Sequence, residues 1–125
     1  MLVDDEPTTL LVVESFLRAE GYEDLVILDD PREALDLIST TRPDVLLLDM
    51  MMPHVGGFEI LAAMQADPAL ADIPVIILSG GDEADMREAL SLGAVDFMPK
   101  PVDRGELARR LREALAVKAQ TPESA

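Results

Sequence analysis

Five short apolar runs, each followed by a stretch of helical periodicity, leave this chain few folds to choose from. The runs are Leu2-Val3, Leu25 to Leu28, Val45 to Leu48, Pro74 to Leu78 and Val95 to Met98. They are apolar nearly throughout instead of alternating, as expected of strands covered by helices on both faces. After the first run, Thr8 to Glu20 carries Leu10, Val13 and Leu17 on one stripe and stops at Gly21. After the second, Asp30-Pro31-Arg32-Glu33 offers a cap, a proline at the first helical position and a glutamate at N3, opening a helix through Ile38. Phe58 to Ala66 follows Gly56-Gly57, and Glu83 to Leu92 stops at Gly93. Asp103 and Glu106 repeat the capping-box spacing ahead of the stripe Leu107, Leu111 and Leu115. Five β/α units of this kind predict an α/β chain with a parallel five-stranded sheet between helical layers.

At 125 residues the chain fits one domain, expected over 1–119, with 120–125 as a flexible tail. The absence of cysteine excludes disulfides, thiolate chemistry and Cys-ligated zinc. A formal net charge of −15 argues against direct reading of nucleic acid, which needs clustered Lys and Arg. Arg104, Arg109, Arg110, Arg112 and Lys118 concentrate near the end. They read first as a solvated helix face, and second as a docking face for an acidic partner or a second copy. The longest apolar stretches are strand-sized and the start lacks a basic segment before an apolar run, so a cytoplasmic protein without a membrane span or signal peptide is expected.

Parallel sheets collect functional groups at the carboxyl ends of their strands. Asp4 and Asp5, Asp49, Ser79 and Lys100 each directly follow an apolar run, so the alternation itself brings them to one rim. Each alone has a structural explanation. Asp49 suits a turn, Asp4-Asp5 the negative first turn of a helix, Ser79 the turn before Gly80-Gly81, and Lys100 a solvated surface. Asp29 and Asp30 read as a helix start. Four coincidences at one rim are far less expected than one, and carboxylates converging with a hydroxyl and a lysine suit a divalent cation and a phosphoryl group.

The acidic pair in Val3-Asp4-Asp5-Glu6, the motif Asp49-x-x-Met52-Pro53-x-x-x-Gly57, the hydroxyl in Ile77-Leu78-Ser79-Gly80, and Gly93-Ala94 leading through Phe97 to Lys100-Pro101 recur in one order. By these, from Leu2 to about Val117, the chain resembles the CheY-like receiver domain of two-component response regulators. That resemblance implies a flavodoxin-like three-layer (βα)5 sandwich with strand order 2-1-3-4-5. It implies that Asp49 accepts a phosphoryl group from a sensor histidine kinase or histidine phosphotransferase. Mg²⁺ would be held by Asp5, Asp49 and the backbone carbonyl of Met51, with Asp4 acting through water. Lys100 would neutralise the phosphoryl oxygens, ahead of a cis peptide to Pro101. Ser79 and Phe97 would switch the face made by the fourth helix, fifth strand and fifth helix, used by an effector or a homodimer, with Asp96 and the late arginines as candidates for ion pairs across it. A cation is needed because two carboxylates about 4 Å apart repel by roughly 4 kcal/mol at an effective dielectric of about 20. Such a protein is a signalling switch, catalysing only its own phosphoryl transfer and slow autodephosphorylation.

Two other readings compete. One is a degenerate receiver that binds proteins without phosphorylation, against which the intact set Asp5, Asp49, Ser79 and Lys100 argues. The other is a flavodoxin-like enzyme such as an aspartate-nucleophile phosphatase, which would want a second acid where Met51 stands; no glycine-rich dinucleotide fingerprint is present either. Only Met1 to Val3 precede the acidic pair, so either the central strand is short or its start is missing. The run Met50-Met51-Met52 reads as gap-filling packing in preference to a partner surface, and His54 as a solvated loop residue. Met51 and Gly81, two residues after the acceptor and after Ser79, offer nothing to orient a hydrolytic water. Slow loss of phosphate from Asp49 is therefore expected; a phosphoryl half-life of only seconds in Mg²⁺ buffer would refute it.

Overall fold

The apolar runs become β1 (Leu2–Val3), β2 (Ile27–Leu28), β3 (Leu46–Asp49), β4 (Val75–Ser79) and β5 (Asp96–Pro99), in a computed structural model. It describes residues 1–50, 52, 56–80 and 83–120, the last four as helix backbone only. All strands are parallel, in the order β2-β1-β3-β4-β5. Between them run α1 (Pro7–Ala19), α2 (Ala34–Thr41), α3 (Gly57–Ala66) and α4 (Glu83–Ser91), and α5 (Arg104–Gln120) follows β5. The flavodoxin-like sandwich expected from the sequence is present. No helix among the described residues is long and apolar enough to cross a membrane.

Successive side chains of a strand point to opposite faces, and each face finds its own helices. Val3, Leu46, Leu48, Val75 and Ile77 pack with Ala34 and Ile38 of α2, Ile60, Leu61 and Met64 of α3, and Ala89 of α4. Leu2, Leu47, Ile76, Leu78 and Met98 pack with Val13 and Leu17 of α1 and with Leu107, Leu111 and Ala114 of α5. Two-sided cover is why the runs do not alternate.

Strand ends fall later than the hydrophobicity does. Asp49 still pairs with Leu78, and Ser79 with Pro99, so both polar residues are the last of their strands and not the first of the following loops. Of the run Leu25 to Leu28, only Ile27 and Leu28 are strand, because β1 offers only Leu2 and Val3 as partners. The helix expected at Asp30 begins as a 3-10 turn, Pro31–Glu33, in which the Asp30 carboxylate accepts the Arg32 N–H at 3.0 Å; α2 then continues to Thr41, beyond Ile38. The Arg32 guanidinium grips the same carboxylate at 2.9 Å and 3.0 Å, which holds the cap on Arg32 instead of Glu33. Gly21 and Gly93 stop α1 and α4 with φ of 95° and 104°, a region that disfavours any side chain. At α5 the Asp103 carboxylate accepts the Glu106 N–H at 3.0 Å, as the spacing predicts. The helix takes in Gln120, the first residue of the expected tail, and 121–125 lie outside the described residues.

A cavity of about 730 Å³ is lined by Met1, Leu17, Tyr22, Leu25, Pro43 and Val45 among others. In its lining the Met1 ammonium donates to the Val45 carbonyl at 2.9 Å, while the Met1 carbonyl accepts from Leu47 N–H. Burial pushes this amine down to about 6, against the opposing pull of Asp44. A base whose folded pKa lies below its unfolded value destabilises the fold once it must be protonated. Relative to an N-terminally acetylated chain, the free-amine chain should therefore lose on the order of 2 kcal/mol between pH 8 and pH 6, at about 1.4 kcal/mol per pKa unit, whatever Asp49 adds to both forms in the same window. An N-terminally acetylated chain keeps an N–H for Val45 and should lack this decline; urea titrations of the two forms across that window measure it.

Candidate functional site

The rim where β1, β3, β4 and β5 end gathers the charged residues. Asp4 follows β1 with no exposed surface, its N–H donating to the Leu28 carbonyl at 3.1 Å. Its Oδ1 accepts the Glu6 N–H at 2.9 Å, a turn that opens α1 at Pro7. Asp5, beside it, is half-buried. Asp49 ends β3 and is 3% exposed, and Ser79 ends β4 at 2%.

Gly57 sets how closely α3 approaches this rim. Its N–H donates to the Met50 carbonyl at 2.9 Å. A Cβ on Gly57 would stand 2.2 Å from the Asp49 carbonyl oxygen and 2.9 Å from Met50 Cα, so only glycine lets the helix start seat against the end of β3.

Lys100 follows β5, its backbone N–H bonded to the Ser79 carbonyl at 2.9 Å and its peptide bond to Pro101 cis. Its Nζ lies 2.6 Å from Glu6 Oε1, 2.9 Å from Asp4 Oδ2 and 3.3 Å from Asp49 Oδ1. Burial works to lower this lysine, but the bonds to Glu6 and Asp4 and the charge of Asp49 overcome it and raise it above the usual range. Burial, reinforced by the charge of Asp4, pushes the Asp49 carboxyl up to about 7 despite Lys100.

Oxygen atoms of Asp4, Asp5 and Asp49 lie within 4.8 Å of one another. Three hard oxygen donors without nitrogen or sulfur fit Mg²⁺ or Ca²⁺ and not a soft metal. Four carboxylates against one ammonium leave the cluster strongly negative, which a divalent cation would offset.

Sequence reasoning brought Asp4, Asp5, Asp49, Ser79 and Lys100 to this rim, and the structure places them there. Phe97, 8% exposed, lies in β5 beside Ile77 and packs in the core layer under α4. Met50 is in the same layer and Met52 packs against it, so both fill space as expected. Met51, His54 and Gly81 lie outside the described residues. Asp96 pairs with Arg110 within the chain, Arg104 with Glu20, and Arg109 with Glu106 and Glu113, so Asp96 and three of the arginines considered for a dimer face find partners at home. The site residue that sequence reasoning missed is Glu6, quoted only as the end of the acidic motif.

Comparison with known proteins fits this geometry. A model of the response regulator receiver domain matches residues 1–112. The chain belongs to that family. The receiver domain is 36% identical over 113 residues to the response regulator PleD of Caulobacter vibrioides, covering 90% of this chain and 25% of that protein. It is 36% identical over 116 residues to the response regulator MprA of Mycolicibacterium vanbaalenii, covering 92% of this chain and 49% of that protein. Among solved structures it resembles the signal receiver domain of a signal transduction histidine kinase from Syntrophus aciditrophicus, with TM-score 0.85 and 32% identity, over 98% of this chain and 92% of that one. The receiver domain thus spans a quarter to a half of the length of these two curated relatives.

Gly57→Ala should destabilise the receiver domain by roughly 1–3 kcal/mol, the usual cost of overpacking, because backbone and not a flexible side chain blocks the new methyl. Chemical denaturation measures it, with Gly56→Ala, whose Cβ would meet nothing nearer than 3.6 Å, as the control.

Proposed function

We propose that this receiver domain is a phosphorylation-controlled switch in which Asp49 takes a phosphoryl group from a phosphohistidine of a sensor histidine kinase or histidine phosphotransferase. The observation that carries the reading is the contact of one lysine with Asp4 and Asp49 at a rim that also holds Asp5. In the transfer, an Asp49 carboxylate oxygen bonds to phosphorus while the P–N bond to the donor imidazole breaks, the nitrogen keeping the electron pair. The product is an acyl phosphate, labile enough to reverse or hydrolyse.

The nucleophile must be ionised, and burial with Asp4 holds Asp49 back from that state. Asp5 and Asp49 would hold Mg²⁺ directly, with Asp4 through water and the Met51 carbonyl completing the set; when bound, the ion supplies positive charge that favours the ionised acceptor and neutralises the phosphoryl oxygens. Lys100, 3.3 Å from Asp49 Oδ1, would add a second positive charge. The Ser79 hydroxyl then bonds a phosphoryl oxygen, Phe97 repacks, and the α4–β5–α5 face changes for an effector or a second copy.

A phosphorylation-independent binding module would gain nothing from this cluster. Like charges gathered at one buried rim cost stability, and a constitutive surface has no use for them.

Incubation with acetyl phosphate and Mg²⁺, followed by intact mass measurement, tests the reading. The wild type should gain a single phosphoryl adduct that Asp49→Ala lacks. No adduct on the wild type under saturating donor would sink it.

A further inference from the structure

Glu6 occupies the N-cap of α1, where an acidic side chain ordinarily accepts an N–H of the first turn. Its carboxylate makes no such bond. Pro7 opens the helix behind it, and Asp4 takes the Glu6 N–H. The Glu6 side chain instead spans 94 residues of sequence to reach Lys100 at 2.6 Å, closer than either Asp4 at 2.9 Å or Asp49 at 3.3 Å.

The two ends of this contact are unlike. The Lys100 side chain is 16% exposed and Glu6 58% exposed. An ammonium has three N–H donors, and three carboxylates surround this one, with the prospective nucleophile at the longest distance. We infer that Glu6 is a positioning residue: it draws the Lys100 ammonium toward the α1 side of the rim, away from Asp49, until a phosphoryl group on Asp49 outcompetes it.

The exchange is asymmetric in cost. A phosphoryl group on a buried carboxylate presents several anionic oxygens within the lysine's reach, where a partner is strongly felt. Glu6, largely in water already, is rehydrated on release with little penalty. Asp4, which has no exposed surface, cannot be exchanged so cheaply, because it cannot be rehydrated in place. Glu6 thus sets how much of Lys100 is available at the start of transfer. The inference rests on the phosphoacceptor reading and adds a residue to it.

Glu6→Gln removes the charge and keeps the length. In metal-free protein, the Lys100 Cε and Nζ resonances should shift on this substitution, and no shift would overturn the contact. With acetyl phosphate and Mg²⁺, adduct formation should quicken by about two- to fivefold, the effect of one partly exposed charge pair. In a Lys100→Met background the same substitution should leave the slower rate unchanged. Glu6→Asp, whose shorter carboxylate caps α1 well but falls short of Lys100, should behave as Glu6→Gln does. If Glu6 served only the helix, Glu6→Asp would match the wild type instead. An unchanged or slower rate in Glu6→Gln, or a gain that persists without Lys100, overturns the positioning role alone. A wild type that forms no adduct overturns the phosphoacceptor reading and this role with it.

Discussion

Lys100 reaches the rim from the end of β5 and is the one cation, among the described residues, in contact with carboxylates from both the β1–α1 turn and β3. Without it, Asp4 and Asp49 would face one another across a few ångströms in a setting where water screens poorly, at a cost of several times the thermal energy. With it, the negative charge is held but not cancelled, and Asp49 remains hard to ionise. The receiver domain thereby keeps a standing demand for positive charge at one place. A fold stable with its acidic rim merely half-satisfied is poised to respond to whatever ion or group completes the set.

The backbone makes this arrangement with few contrivances. Parallel strands end together, so residues distant in sequence become neighbours without any long loop. Cover on both faces excludes water from everything but the rim, which turns Asp49, an ordinary aspartate by sequence, into a perturbed one. Close fit does the rest, since α3 begins where the missing side chain of Gly57 lets it rest on the Asp49 carbonyl. The start of α3 and the end of β3 are therefore packed with no room for a side chain between them.

Much of this was legible in the chain. The order of elements, both helical stripes facing the sheet and the meeting of Asp4, Asp5, Asp49, Ser79 and Lys100 follow from periodicity and from where each apolar run stops. Boundaries were less legible because hydrogen bonding outlasts hydrophobicity, so Asp49 and Ser79 close strands that apolar residues alone would end earlier. The 3-10 turn after Asp30 depended on an Arg32 side chain choosing its own neighbour. Glu6 was hidden for a different reason. A glutamate after an acidic pair at a helix start looks like a favourable charge on the helix dipole, and its partner lies too far along the sequence for any local pattern to expose. The pairing of Asp96 with Arg110 was likewise invisible, since spacing shows that charges are near but not which will meet.

The first residue has a practical side. Met1 already fills a rung of the sheet, its nitrogen bonded to Val45 and its carbonyl to Leu47. Anything joined ahead of it exchanges a buried charged amine for a neutral peptide N–H that can still donate to Val45. A purification tag at this position is consequently not a neutral handle, because it removes a buried charge beside the central strand.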